Sequence, residues 1–389
     1  MIKNYQMLCE ELNLTSEYTE KSLEVIKRWC YEHVSRDISF YGEPEEQYNH
    51  YLKFSKSYLE DFLPHTAQNP SISIPELDYL TLIQYASAHG YDRFITNTVS
   101  ESKELWSLKN QYGMTPLHLS AGRGYVHTVR ALLEKGANPE VENSTGQLPI
   151  YTTLLIPIDS SLDLVERKKA VYQLLKIKAP HSVFHQDKSG DSLLHLIAVN
   201  GLYEVYVEDE AELSPMLLQS NNYQVYPIHK AILNQHTKLI ELWLDYDNVS
   251  SLSDAKGRVA LHYAALYGTE EITKLVCGKT HDLDVRDAYN KTPLILAAEA
   301  GNLPAMKVLI EKGADPNLKD YEGYSVLHRA VLEGHVEMVQ WLLQHTSVNT
   351  HDVTEDGDTP LSLSEKNEDI PEIKNLLLEK GGSNACCLK

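Results

Sequence analysis

The chain has 389 residues, with 55 acidic against 35 basic side chains and a formal charge of −20. That field repels nucleic acid and disfavours an anionic membrane surface, because both need a basic face to dock on. Apolar residues make up 42% and charged residues 23%, as in folded soluble chains, and no apolar run reaches the roughly 18–20 residues that insertion into a membrane requires.

Residues 1–73 carry no repeat and read as a small helical N-terminal unit. In 18–35, Leu23, Val25, Ile26, Trp29, Cys30 and Val34 recur at helical spacing, and in 48–63 Tyr48, Tyr51, Leu52, Phe54, Tyr58 and Leu59 do the same. Gly42, Glu43 and Pro44 mark the turn between them. The first residues, MIKNYQMLCEELNL, lack a basic region followed by an apolar core and do not read as a Sec signal. The five cysteines (Cys9, Cys30, Cys277, Cys386 and Cys387) form no framework, which places the chain in a reducing, cytoplasmic setting.

From Ile74 to about residue 380 the sequence repeats, leaving 381–389 as a tail. The clearest copies are GMTPLHLSAGRG at 113–124, GRVALHYAALYG at 257–268, NKTPLILAAEAG at 290–301 and GYSVLHRAVLEG at 323–334. Histidines give the period: His195 and His229 lie 34 apart, His229 and His262 lie 33 apart, and Ile295 and His328 take the next two slots. His118 and His195 are 77 apart, enough for one extra repeat carrying an insertion of about a dozen residues. Each copy closes on an apolar pair and often a glycine, as in VRALLEKGANP at 129–139 and MKVLIEKGADP at 306–316.

These copies resemble the ankyrin repeat, through its T-P-L-H-x-A-A-x-x-G opening and L-L-x-x-G-A-D/N close. The resemblance implies an all-α solenoid of eight or nine units, each a hairpin tip followed by two antiparallel helices. The residues supply reasons for that shape. Thr-Pro can cap and open a helix, paired alanines such as Ala264 and Ala265 permit close helix approach, and Gly124, Gly268, Gly301 and Gly334 permit the turn between helices. The third unit (147–164) carries the insertion, the fourth an acidic stretch with Glu204, Glu208, Asp209, Glu210 and Glu212 in place of a short turn, read as a solvated loop. The last unit has a polar helix suited to covering the end of a stack.

Little points to chemistry. No P-loop, nucleophile-elbow, zincin or kinase pattern is present, and no cofactor or metal is expected. The resemblance implies that the aligned His118, His195, His229, His262 and His328 are structural; repeats stacked roughly 10 Å apart are too distant to share a metal ion. Cys30 with His33, His50 or His65 leaves a cysteine-based enzyme open as an alternative reading. The segment SIPELDYLTLIQY at 73–85 leaves a second, an adaptor to ubiquitin ligase machinery. The end, with Glu365, Glu368, Asp369, Glu372 and Glu379 before GGSNA, resembles the secretion signals of type IV effectors of intracellular bacteria, and implies delivery into a host cell. Cys386 and Cys387 only poorly match a prenylation box.

The expected role is that of a monomeric scaffold binding a protein partner, a host protein if the chain is an effector. In ankyrin arrays partners dock in the concave groove of tips and first helices. Here the tips are rich in tyrosine, namely Tyr112, Tyr223, Tyr226, Tyr289, Tyr321 and Tyr324, and the first helices add Arg123, Leu266, Tyr267, Glu299, Leu332 and Glu333 at outward positions. Tyrosine offers wide contact at low entropic cost and is enriched in interface hot spots.

Overall fold

The computed structural model describes residues 73–74, 80–90, 92–97, 103–155, 161–366 and 371–381. The segments 18–35 and 48–63, Cys30, His33, His50, His65 and the tail from residue 382 onward lie outside them. The chain divides into two compact units, Met1–Lys188 and Ser189–Lys389. Among the described residues the secondary-structure elements are helices apart from one pair of two-residue strands.

In the first unit, β1 (Ser73–Ile74) pairs antiparallel with β2 (Leu80–Thr81) and runs directly into α1 (Leu82–His89). Three helix pairs follow the same plan: α1 with α2 (Asp92–Asn97), α3 (Pro116–Gly122) with α4 (Val126–Glu134), and α5 (Pro149–Thr153) with α6 (Leu162–Lys178). First helices stack on first helices and second on second, α1 on α3 on α5 and α2 on α4 on α6. Ile83, Leu117, Val129, Leu132 and Val171 are buried along the shared seams. The insertion is not only a loop. It follows a first helix cut to five residues and precedes a second helix of 17. Lys168 of α6, almost wholly buried, donates its ammonium to the Leu155 carbonyl just beyond α5, satisfying the end of a helix too short to cap itself. Burial pushes that lysine down to about 8, and the nearby Arg123 charge adds to the effect.

The second unit holds six helix pairs. They are α7 (Leu193–Asn200) with α8 (Tyr203–Glu208) and α9 (Glu210–Leu213); α10 (Pro227–Leu233) with α11 (Thr237–Trp243); α12 (Ala260–Tyr267) with α13 (Glu270–Gly278); α14 (Pro293–Glu299) with α15 (Leu303–Glu311); α16 (Val326–Leu332) with α17 (Val336–His345); and α18 (Pro360–Lys366) with α19 (Pro371–Glu379). The first helices α7, α10, α12, α14, α16 and α18 form one continuous row. Ala264 and Ala265, like Ala297 and Ala298, have no exposed surface, so the row is close because these positions carry no bulk.

Helix starts follow the sequence. Thr115 and Thr292 accept the backbone N–H groups of His118 and Ile295, and proline fills the next position in both. Gly301 takes the left-handed turn expected of it, with φ 70°. Gly268 does not: its φ is −74°, and it is required because a Cβ there would lie 2.6 Å from the Ala264 carbonyl oxygen. The acidic stretch of the fourth repeat also departs from expectation. It folds as α8 and α9, and Glu210 accepts a 2.5 Å hydrogen bond from the Tyr246 hydroxyl, which itself accepts from Tyr206. Val205, Tyr206 and Leu213 interleave with the acids at helical spacing, and burying them pulls the segment onto the stack.

Candidate protein-interaction site

Four hairpin tips of the second unit are built the same way. An Asn or Asp opens each and its side-chain oxygen accepts backbone N–H groups two and four residues on: Asn221 from Tyr223 and Val225, Asp254 from Lys256 and Arg258, Asp287 from Tyr289 and Lys291, Asp320 from Glu322 and Tyr324. With the turn's donors satisfied internally, a residue one or two places after the opener stands outward, Tyr321 directly after Asp320 and Tyr223 and Tyr289 two places after Asn221 and Asp287. A left-handed residue completes the turn, Gln224, Gly257, Asn290 or Gly323. Neighbouring tips are tied by single backbone bonds, Ala288 to Lys256 and Tyr321 to Tyr289 among them.

Beneath the tips lie the aligned histidines. His118 donates from Nε2 to the Gln147 carbonyl of the next repeat, 2.9 Å away, so Nδ1 is left to accept from the Thr115 N–H and hydroxyl. His195, His229, His262 and His328 repeat this, reaching the carbonyls of Val225, Leu252, Lys291 and Asp352. Burial pushes the His118 and His229 imidazoles down to about 4, against the opposing pull of their bonds to carbonyls, and lowers His262 and His328 by the same cause. Both nitrogens of every ring are committed to backbone or hydroxyl partners. Cys277 is buried too, and burial pushes its thiol up to about 11, so it packs as a small apolar group.

The tyrosines expected to face a partner, and Leu266 with them, divide into two groups. Tyr112, Tyr223, Tyr289 and Tyr321 stand outward at the tips, between 53% and 69% exposed, and Tyr267 is exposed at the end of α12 with Leu266 half-buried beside it. Tyr112 belongs to the first unit; the others belong to the second. Tyr226 and Tyr324 instead turn inward. Each sets its ring edge against the histidine of its own repeat, with centroids 5.7 Å from His229 and 6.1 Å from His328. Tyr324 also lies under the Arg329 guanidinium, 4.1 Å away. They hold up the tips from below.

Reading the sequence by residue type missed part of the face. Val199 and Leu233, 39% and 47% exposed, each sit four residues beyond their repeat's histidine, in the slot that Leu332, expected outward and 42% exposed, holds in its own repeat. Leu266 holds the same slot in α12 and Glu299 holds it in α14, the repeat in which Ile295 stands in the histidine's place. The period that aligns the histidines also aligns this row. Tyr263 was missed as well: its ring stacks on His229 at 4.4 Å and 3°, and its hydroxyl donates to Asp254.

Charges on this face are mostly tied down. Lys230 pairs with Asp191 at 2.6 Å, Lys291 with Glu299 at 2.8 Å and Lys366 with Asp358 at 2.6 Å. Arg329, whose side chain is 9% exposed, bridges Asp320, 1% exposed, and Glu322 at 2.8 Å. Carbonyls at the first-helix ends are occupied from neighbouring repeats: Val199 by His236 and Ala265 and Gly268 by Asn302 of the following repeat, and Tyr267 by Gln235 of the preceding one. The face is thus a relief of side chains over a closed backbone, able to bind another surface and carrying no assembled nucleophile or acid–base pair among the described residues.

Helix pairs of one period, tips opened by Asn or Asp and a buried histidine reaching the next repeat together define a repeat-type binding protein. The chain belongs to the ankyrin-repeat family. A model of three ankyrin repeats matches residues 207–287, 228–320, 261–352 and 294–387, and a model of the single ankyrin repeat matches 112–144, together more than half of the chain. Among curated proteins it is 29% identical over 231 residues to Ankyrin repeat protein nuc-2 of Neurospora crassa, covering 58% of this chain and 20% of that one. It is 24% identical over 371 residues to human Transient receptor potential cation channel subfamily A member 1, covering 76% and 33%. The chain spans about a third or less of the length of the curated relatives it matches. A solved ankyrin repeat domain from Acinetobacter baumannii AYE overlays 49% of this chain and 98% of its own, at 22% identity and a TM-score of 0.44.

Proposed function

We propose that this chain is a protein-binding scaffold that holds its partner on the tip and first-helix face of residues 189–366, with 1–73 as a separate helical unit and 381–389 as a tail. Ankyrin repeats support protein–protein interaction in general. What carries the assignment to this face is the alignment of exposed Val199, Leu233, Tyr267 and Leu332 with the outward tyrosines of the tips, on a surface whose backbone is already satisfied. Apolar area exposed in register along a stack has no role in the stack's own cohesion, and it is what a partner would bury.

A photo-crosslinking amino acid placed at Leu266 should capture specific protein partners from cell lysate, and the same group at Glu271 on the second-helix side should not. Equal capture at both positions removes the assignment. Replacing Tyr289 and Tyr321 together with alanine should weaken a captured partner's binding by about 2–4 kcal/mol, measured by calorimetry. Tyr324 is left out of that pair because it supports Arg329 from inside.

We further propose delivery into a host cell, on the strength of the acidic C-terminal stretch before GGSNA. A reporter fused to residues 360–389 should be translocated by a type IV secretion-competent strain and retained by a secretion-deficient one. Retention by both would remove this reading.

A further inference from the structure

The face of the second unit carries more than a general invitation to bind. Its row of side chains, exposed Val199, Leu233 and Leu332 with half-buried Leu266 and Glu299, has one member per repeat. Stacked helices lie about 10 Å apart, so a partner running along the row meets one of these positions per ~10 Å, apolar at every step but Glu299. Two turns of α-helix advance about 10.5 Å in seven residues, and three residues of extended chain advance about 10 Å. Both match in spacing, and backbone chemistry separates them. An extended segment must find partners for its own N–H and C=O groups. Here the tip amides are spent inside their turns, and the helix-end carbonyls of Val199, Ala265, Tyr267 and Gly268 already accept from His236, Asn302 and Gln235. A helix satisfies its own backbone and needs only side-chain contact.

Charge then gives the occupant a direction. Toward the fifth and sixth repeats the face presents Lys230, Lys256 and Arg258, with Lys230 balanced by Asp191 and Arg258 by Asp287. Toward the end of the unit, Lys291, Arg329 and Lys366 are each held by acids of the face, while exposed Glu333, Glu355 and Asp356 enter no ion pair among the described residues. The surplus there is anionic.

We propose that this face takes an amphipathic α-helix of a partner protein, with an apolar side chain at every seventh position and Lys or Arg at the end that overlies Glu333, Glu355 and Asp356. This rests on the protein-binding reading and narrows it to one kind of partner segment.

The test uses the full chain and synthetic probes of about 30 residues, the length that spans four repeats at 1.5 Å per residue. The probe is an Ala/Gln-based helix with leucine at every seventh position and four lysines at one end, followed by fluorescence anisotropy. The same peptide with two central prolines should bind at least tenfold more weakly, as should the peptide with glutamate in place of lysine. Leu233→Asp with Leu266→Asp should weaken the lysine peptide at least tenfold. Glu333→Lys, Glu355→Lys and Asp356→Lys together should weaken it at least fivefold. Glu271→Lys, Glu311→Lys and Glu337→Lys, an equal charge change on the second-helix side, should change it less than twofold. Circular dichroism melts confirm that these surface variants remain folded. Equal binding of the proline peptide, equal loss with the second-helix charge changes, or no binding of the lysine peptide at 1 mM would each overturn the proposal. If crosslinking at Leu266 still captures a partner in that event, the docking face stands and only its helical occupant is lost.

Discussion

At the scale of single residues the histidines and Arg329 show how much of each repeat is held by polar groups taken out of water. A buried imidazole that donates to a neighbouring repeat's carbonyl is stable only while neutral. His118 and His229 therefore sit near 4 in the folded chain, against about 6.5 when exposed. The folded form resists protonation that the unfolded form accepts, so the stabilisation is whole above about pH 6.5 and is lost as pH falls from there to about 4, where the folded rings protonate as well. Unfolding free energies from urea titrations should fall over that window by an amount on the order of 2–3 kcal/mol per histidine, and His118→Gln should flatten part of the slope. Arg329 is a second case. It sits on the Tyr324 ring and satisfies Asp320, whose side chain is 1% exposed. Arg329→Ala would strand that carboxylate and should cost about 3–5 kcal/mol, whereas Glu322→Ala, removing an exposed partner, should cost under about 1 kcal/mol. Chemical denaturation of the two variants checks the contrast.

At the scale of elements, the helices are short, and most would not persist alone. α10, α14 and α16 have seven residues each, well below the roughly 12–15 residues needed for a marginally stable isolated helix. Caps and neighbours stabilise them. Thr292 supplies the cap of α14, and Thr292→Ala should cost about 1 kcal/mol. Ala265 lies where the first helices of adjacent repeats meet with no free surface. Ala265→Leu would force them apart and should cost about 1–3 kcal/mol, read as a lowered thermal midpoint. Much at this scale was legible beforehand: Thr-Pro, the alanine pairs and the glycine turns each announced an element. Two features were not. Gly268 reads like the turn glycines elsewhere, yet its need for a missing Cβ comes from the Ala264 carbonyl beside it. The acids from Glu204 to Glu212 read as a solvated loop by composition, while burial of Val205, Tyr206 and Leu213 draws them into helices.

At the scale of the whole molecule, each unit is a row of modules joined to their neighbours, and stability is a sum of local terms and shared seams. Within the second unit, α14 is packed between α12 and α16, whereas among the described residues α19 stacks on α17 and packs against α18. Hydrogen exchange should therefore be slowest in α12 and α14 and fastest in α19, with protection falling gradually between them. Uniform protection across the unit would show a single cooperative core in place of a nearest-neighbour array.

The sequence by itself determined the period, the family, the helix starts and the all-α character, because those depend on residues close along the chain and on a pattern that recurs every 33 or so positions. It also held the row of Val199, Leu233, Leu266 and Leu332, visible once the histidines were used as a ruler rather than as candidates. Only the tertiary structure decided which tyrosines face outward. Tyr223 and Tyr226 lie three residues apart, as do Tyr321 and Tyr324, and composition treats each pair alike. Within each pair one ring stands clear of the tip and the other rests against a histidine, because the Asx-opened turn reverses the chain between them. That reversal is a fact of backbone geometry.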